Sequence, residues 1–340
     1  MKKLFVISAL LIAAATSATA QTLQIAAPDF AHSKLFDSTA GFVISGLGAD
    51  DDGNVYYLES DARFPAQAET ILYKRSRADG YGSATPLFNY GAPLFGAFVV
   101  AAGESIYFAE SSSGSIRRIT RDGAAVTLLG TVAGIYDLAF LGSDAFVSAN
   151  PQTDFGQPPE NKVFRFDIST GQTDAVLDTG GDYSGPLEFD TQGRLLYGGS
   201  GVAAIRDLHA FSSGEIAGAI GPSELALAPP SHRLIENGRN VFLAHSVGLG
   251  LWKDDFSTLT LHDLDRVESR TVATTPDSLG QLDAVAGSLF VNVTSFGAGR
   301  SSVYSVVAVP EPSSALLGMA AVAFFSGSMA RRARRQCYGQ

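Results

Sequence analysis

Cysteine is all but absent. The one cysteine of this 340-residue chain is Cys337, a few residues from the end. Residues 21–308 therefore have no disulfide, no catalytic thiol and no Cys-ligated metal, and an apolar core must hold them together. Trp252 is the only tryptophan, and there are 5 histidines. His209, His232, His245 and His262 are scattered without the spacing of a metal-binding pair. No nucleophile elbow and no Walker-type loop occurs. Basic residues are also few, 24 against 34 acidic ones. Setting aside Lys2 and Lys3 at the start, and four arginines and Glu311 at the end, leaves 18 basic against 33 acidic residues in 21–308. Phosphate binding needs clustered Lys and Arg, so this balance excludes nucleic acid as a partner. It favours solubility outside the cell and attracts cations.

What is present is a large apolar fraction, 46%, with 17% charged residues and 36 glycines. That is enough to bury a sizeable core and is not the composition of a disordered chain. Glycine together with β-branched and aromatic residues predicts many short strands joined by tight turns.

The two ends differ from the body. Met1-Lys2-Lys3 precedes an apolar run from Leu4 to Ala15, and Ala18 and Ala20 form an A-x-A site. This is the pattern of a secretory signal peptide, residues 1–20, cut before Gln21. At the other end Val309-Pro310-Glu311-Pro312-Ser313-Ser314 leads into the apolar stretch Ala315–Met329, followed by Arg331, Arg332, Arg334 and Arg335. A helix over this stretch just crosses a bilayer if the arginines snorkel, and the positive-inside rule puts them on the cytoplasmic side. These residues resemble the PEP-CTERM sorting signal, here 309–336. The resemblance implies recognition by an integral-membrane exosortase, with Pro310, Glu311 and Pro312 as the recognition motif and only transient membrane anchoring. It also implies export across the inner membrane of a Gram-negative bacterium that makes extracellular polysaccharide, and a final place on the cell surface or in the matrix. A plain single-span anchor is the alternative.

Between the ends a strand-like sextet recurs: VYYLES at 55–60, IYFAES at 106–111, AFVSAN at 145–150, LLYGGS at 195–200, VFLAHS at 241–246 and LFVNVT at 289–294. Six units with four short strands each suit propeller blades, and each sextet is expected to be a second strand. Asp52-Gly53-Asn54, Asp122-Gly123 and Gln192-Gly193 are turn signals. The last unit has only three strands, and TLQIAAPDF at 22–30 is expected to supply the fourth. The expected fold of 21–308 is thus an all-β, six-bladed β-propeller closed by its N-terminal strand, with a signal helix before it and a transmembrane sorting helix after it. A pair of β-sandwiches is the alternative. Through the Gly53-Asn54-Val55-Tyr56 rhythm the body resembles NHL-type and gluconolactonase-like six-bladed propellers.

Candidate chemistry sits at the sextet ends. Glu59, Glu110, Asn150 and His245 are expected to line one mouth, where two carboxylates, an amide and an imidazole could bind calcium or another divalent cation, or serve acid–base chemistry. The gluconolactonase resemblance implies a central metal held by Glu, Asn and Asp. Solvated strand-end residues without a cofactor are the plainer alternative. Asp50-Asp51-Asp52-Gly53-Asn54 reads as a turn, since it lacks the ligand alternation of a calcium loop. Trp252 reads as structural, and the sequon Asn292-Val293-Thr294 as idle. Three functions follow: a non-catalytic surface propeller binding extracellular polysaccharide or envelope proteins, a metal-dependent lactone or ester hydrolase, and a structural matrix component.

Overall fold

A computed structural model describes residues 22–151, 160–178, 184–198, 208–218, 233–235 and 240–309. The signal-cleavage residues Ala18, Ala20 and Gln21 lie outside the described residues. So do Pro310, Glu311 and Pro312, and Arg331, Arg332, Arg334 and Arg335. No helix among the described residues is long and apolar enough to cross a membrane.

The described chain is nearly all β. Two N-terminal strands, β1 (Gln24–Ile25) and β2 (Phe30–Asp37), precede a series of antiparallel meanders. The first is β3 (Phe42–Ala49), β4 (Val55–Asp61), β5 (Ile71–Arg75) and β6 (Ala84–Asn89). The second is β7 (Gly96–Ala102), β8 (Ser105–Glu110), β9 (Ser115–Thr120) and β10 (Val126–Thr131). The third is β11 (Ile135–Leu141), β12 (Asp144–Ala149), β13 (Lys162–Phe166) and β14 (Thr173–Asp178). The fourth is β15 (Leu187–Phe189), β16 (Leu195–Tyr197), β17 (Leu208–Phe211) and β18 (Arg233–Ile235). The fifth is β19 (Leu243–Ser246), β20 (Gly250–Asp254), β21 (Thr258–Asp263) and β22 (Glu268–Thr274), with β1 as an added outer strand. The last is β23 (Ser278–Val285), β24 (Ser288–Ser295) and β25 (Arg300–Ala308), with β2 outermost. One parallel bridge, Arg300 to Phe42, joins this meander to the first.

The sheets stack face to face, and an apolar layer fills each gap. Tyr56, Leu58 and Leu72 meet Val99, Ile106 and Phe108 between the first two meanders. Trp252, Leu261 and Ala244 meet Leu289, Val291 and Tyr304 between the fifth and the last. Phe290 and Val303 of the last meet Leu47, Val55 and Tyr57 of the first. The first strands follow one another around a ring: β3 packs beside β7, β7 beside β11, β11 beside β15, β15 beside β19, β19 beside β23, and β23 beside β3.

This stacking explains the sextets. A second strand has a sheet on both faces, so it is apolar nearly throughout rather than alternating; β4 is buried along its whole length. Five of the six sextets are second strands, namely β4, β8, β12, β16 and β24. The fifth is not. Residues 243–246 form β19, the first strand of their meander, and the second is β20, which carries Trp252.

The closing strand also differs from the expectation. Residues Phe30–Asp37 pair with β25, in register from Phe30 opposite Ala308 to Asp37 opposite Ser302. The apolar segment before them fills the last inter-sheet layer: Leu23 and Ala27 are buried, and Phe30 packs edge-on to Trp252 at 5.5 Å. The strand that does pair is mostly exposed, and its polar residues His32, Ser33 and Lys34 give no strand signal.

The turn readings hold. Gly53 and Gly193 both lie in the left-handed region, at φ 77° and 73°, where a side chain would strain the backbone. Asp50 accepts the N–H groups of Asp52 and Asn54, and Asp190 accepts those of Gln192 and Arg194, so one turn design serves two meanders. Burial pushes the Asp50 carboxyl up, but bonds from Asn54 and Tyr56 and the nearby Arg121 hold it below its ordinary range.

Candidate functional site

The first strands enclose two cavities along the ring axis, and their chemistries are opposite. The one toward the ends of the first strands has a volume of about 280 Å³. Asp51, Asp137, Glu188, His245 and Asp283 line it. Three of these carboxylates reach N–H groups on or beside neighbouring first strands. Asp283 Oδ2 accepts from Ala49 N at 2.6 Å, and Asp137 Oδ2 accepts from Leu187 N at 3.1 Å. Glu188 accepts from its own neighbour Phe189 at 2.7 Å and from the His245 backbone. Adjacent first strands here lack a shared backbone ladder, and these side chains supply links in its place. Burial, against the pull of the N–H donors, raises Asp137 to about 7, Glu188 to about 8 and Asp283 to about 6. Mutual repulsion adds to the rise, through Asp283 on both Asp137 and Glu188. Burial lowers His245 below its ordinary range.

The second cavity, about 320 Å³, lies toward the starts of the first strands. Four of those strands carry a register shift at the same level: at Ser45, Ala97, Tyr136 and the pair Gly280–Gln281. A bulge re-aims the extra residue, and all of these bulge residues line the second cavity. Tyr136 spans the axis: its hydroxyl donates to Val241 O at 2.7 Å, and its ring stacks on Phe242 at 6.2 Å. Gln281 accepts from Leu47 N at 2.6 Å and donates to Ala97 O. Phe242 and Gln281 border both cavities and so form the partition between them.

No charged side chain lines the second cavity. Three phenylalanines border it while remaining exposed: Phe95 at 45%, Phe256 at 47% and Phe296 at 62%. Phe256 holds φ 77°, a conformation that favours glycine, and its carbonyl accepts from Leu279 N at 2.5 Å. Phe64, fully exposed, lies in the loop after β4, on the same face. Every exposed phenylalanine among the described residues is therefore on this face.

The four residues expected at one mouth are not brought together there. Glu59 accepts from Thr39 N at 2.9 Å. Glu110 caps the turn after β8, accepting from Ser112 N and Oγ and from Ser113 N. Despite burial, those bonds hold its carboxyl below the ordinary range. Asn150 accepts from Glu160 N at 3.1 Å. His245 belongs to the acidic cavity, because its segment is a first strand rather than a second. Among the described residues no group of three or more His, Cys, Asp or Glu side chains could hold a metal ion. The donors around Glu59 and Glu110 are backbone N–H and hydroxyl groups, an arrangement that satisfies an anion without a cation. These residues do not fit the metal that the gluconolactonase resemblance implies. Trp252 is buried, its indole N–H donating to Ser246 Oγ at 3.2 Å. Asn292 is buried too, which removes the sequon from any modifying enzyme.

Sequence reasoning missed Asp137, Glu188 and Asp283. Their signal was a lone acid between apolar residues in a first strand: YDLAF, PLEF and QLDAV.

The architecture is propeller-like, and comparisons agree. No family model matches the chain, and no curated protein matches it. Solved structures do. The chain is similar to a gluconolactonase of Xanthomonas campestris at 16% identity and a TM-score of 0.57, covering 84% of this chain and 90% of that one. It is similar to the PQQ-bound aldose sugar dehydrogenase of Streptomyces coelicolor at 14% and 0.53, covering 82% and 98%. A chain of a nidogen–laminin complex is similar at 14% and 0.52, covering 72% and 85%. At these identities the likeness is one of fold alone.

Proposed function

We propose that this chain is an exported, exosortase-sorted, six-bladed β-propeller that binds a protein partner at the cell surface, without catalysis, through its phenylalanine-bordered face. The carrying observation is the uncharged axial cavity with Phe95, Phe256 and Phe296 exposed around it. Exposed aromatics gathered on one face of an acidic, soluble body mark an interaction surface. The similar propeller in a nidogen–laminin complex lends support by analogy of fold.

A glycan reading rests on the same aromatic border. It is disfavoured because most of the cavity's polar groups are engaged within the protein, as for Ser45 with Ser60 and Gly96, and Thr294 with Ser301. A polyol needs such groups free. The test uses the full chain expressed with its own leader. Exchanging Phe256 and Phe296 for serine is expected to abolish saturable binding to producer cells that lack their own copy, with melting unchanged. Undiminished binding overturns the reading. Deleting 309–340 is expected to release the protein into the medium, and retention at the cell surface contradicts the sorting part.

A further inference from the structure

Resting on that reading, we infer that the second cavity receives one uncharged aromatic side chain of the protein partner, inserted along the axis until it meets the Tyr136–Phe242 floor. Four observations carry this. The volume, about 320 Å³, is that of a small-molecule site and is large enough for a ring. The wall has no charged group, so a charged side chain would be desolvated without compensation. Most of the wall's polar side chains are engaged: Gln281 with Leu47 and Ala97, Asn292 through its Nδ2 with Ile44 and Thr294, and Ser111 with the Phe95 carbonyl. The buried Asn292 Oδ1 is left without a hydrogen-bond partner. The floor is itself aromatic, with Tyr136 and Phe242 offering ring surface for offset or edge contact.

The exposed border decides between a free molecule and a side chain. A ligand that only filled the cavity would leave the outward surfaces of Phe256 and Phe296 in water. A partner segment carrying the inserted ring covers them as well. The Phe256 backbone points the same way. A phenylalanine held in the left-handed region is strained, and strain of this kind persists where the side chain's placement matters.

The probes are N-acetyl-L-phenylalaninamide and N-acetyl-L-tryptophanamide, titrated into the purified full chain by calorimetry or saturation-transfer NMR. N-acetyl-L-lysinamide, phenylacetate and methyl β-glucoside are the controls. We expect one saturable site for the neutral aromatics, at least roughly tenfold tighter than for any control. Ala97→Phe fills the cavity and is expected to weaken that site by roughly tenfold or more. Phe296→Ala, at the exposed border, keeps the test valid if Ala97→Phe fails to fold: its expected loss is smaller but measurable. Asp137→Asn, in the other cavity, is expected to change nothing. Absence of saturable aromatic binding, tighter binding of the glucoside, or aromatic binding that survives both substitutions overturns the inference. If cell-surface binding depends on Phe256 and Phe296 but survives Ala97→Phe, the insertion fails while the proposed function stands. If neither set of substitutions matters, both fail.

Discussion

The two cavities along the axis share four first strands, β3, β7, β11 and β23, and are chemically opposed. At one end, carboxylates turn toward the axis and accept N–H groups of neighbouring strands. At the other, bulges turn Ser45, Ala97, Tyr136 and Gln281 inward, and exposed phenylalanines stand at the border. The difference teaches where each mouth's polar groups are used. The acids hold the ring together and are costly to ionise. The aromatic end has most of its polar groups satisfied internally and leaves apolar surface exposed at its border.

The largest expected effect breaks this comparison by pH. Asp137, Glu188 and Asp283 have carboxyls raised to about 7, 8 and 6. Below about pH 3 both folded and unfolded chains hold these protons. Above that the unfolded chain releases them and the folded chain keeps them, so stability falls as pH rises, until the last group ionises near pH 8. The combined loss between pH 4.5 and 8.5 is expected to be at least about 3 kcal/mol. Denaturant unfolding at the two pH values measures it, and Asp137→Asn should flatten the dependence. Equal stability at both ends of the range contradicts the account of the acidic end.

Next in size is the partition. Gln281→Leu leaves the Leu47 N–H and the Ala97 carbonyl without their partner. The expected cost is about 2–3 kcal/mol, read as a lower denaturation midpoint. A neutral outcome means that the two cavities are one. Smaller again is the border. Phe296→Ala is expected to cost about 1–2 kcal/mol of partner binding, and less than about 0.5 kcal/mol of stability, because the ring is mostly in water. The smallest effect on stability belongs to Phe256→Gly. Relief of the left-handed backbone offsets the lost ring contacts, so the net change stays within about 1 kcal/mol, while binding still falls. A large destabilisation would make Phe256 a packing residue instead.

What the sequence made legible follows burial. Second strands lie between two sheets, so VYYLES, IYFAES and LFVNVT are apolar on both faces and can be recognised by eye. VFLAHS has the same composition for another reason: β19 lies next to the axis between two other first strands, and its composition cannot distinguish the two burials. That misplaced strand carried His245 into the wrong company. The strand pairing of His32, Ser33 and Lys34 was illegible because an exposed outer strand needs no apolar residue. The aromatic border was illegible for a different reason. Phe64, Phe95, Phe256 and Phe296 sit in loops, where no periodicity says which side chains converge. The lone acids in the first strands were visible, but only the ring makes them neighbours.

The central claim is that the phenylalanine-bordered end meets the partner and the acidic end does not. A photo-crosslinking residue placed at Phe296, and in a second variant at Asp51, tests it in living producer cells. The account predicts a discrete protein adduct from position 296 and none from position 51. An adduct formed only from position 51 would contradict it.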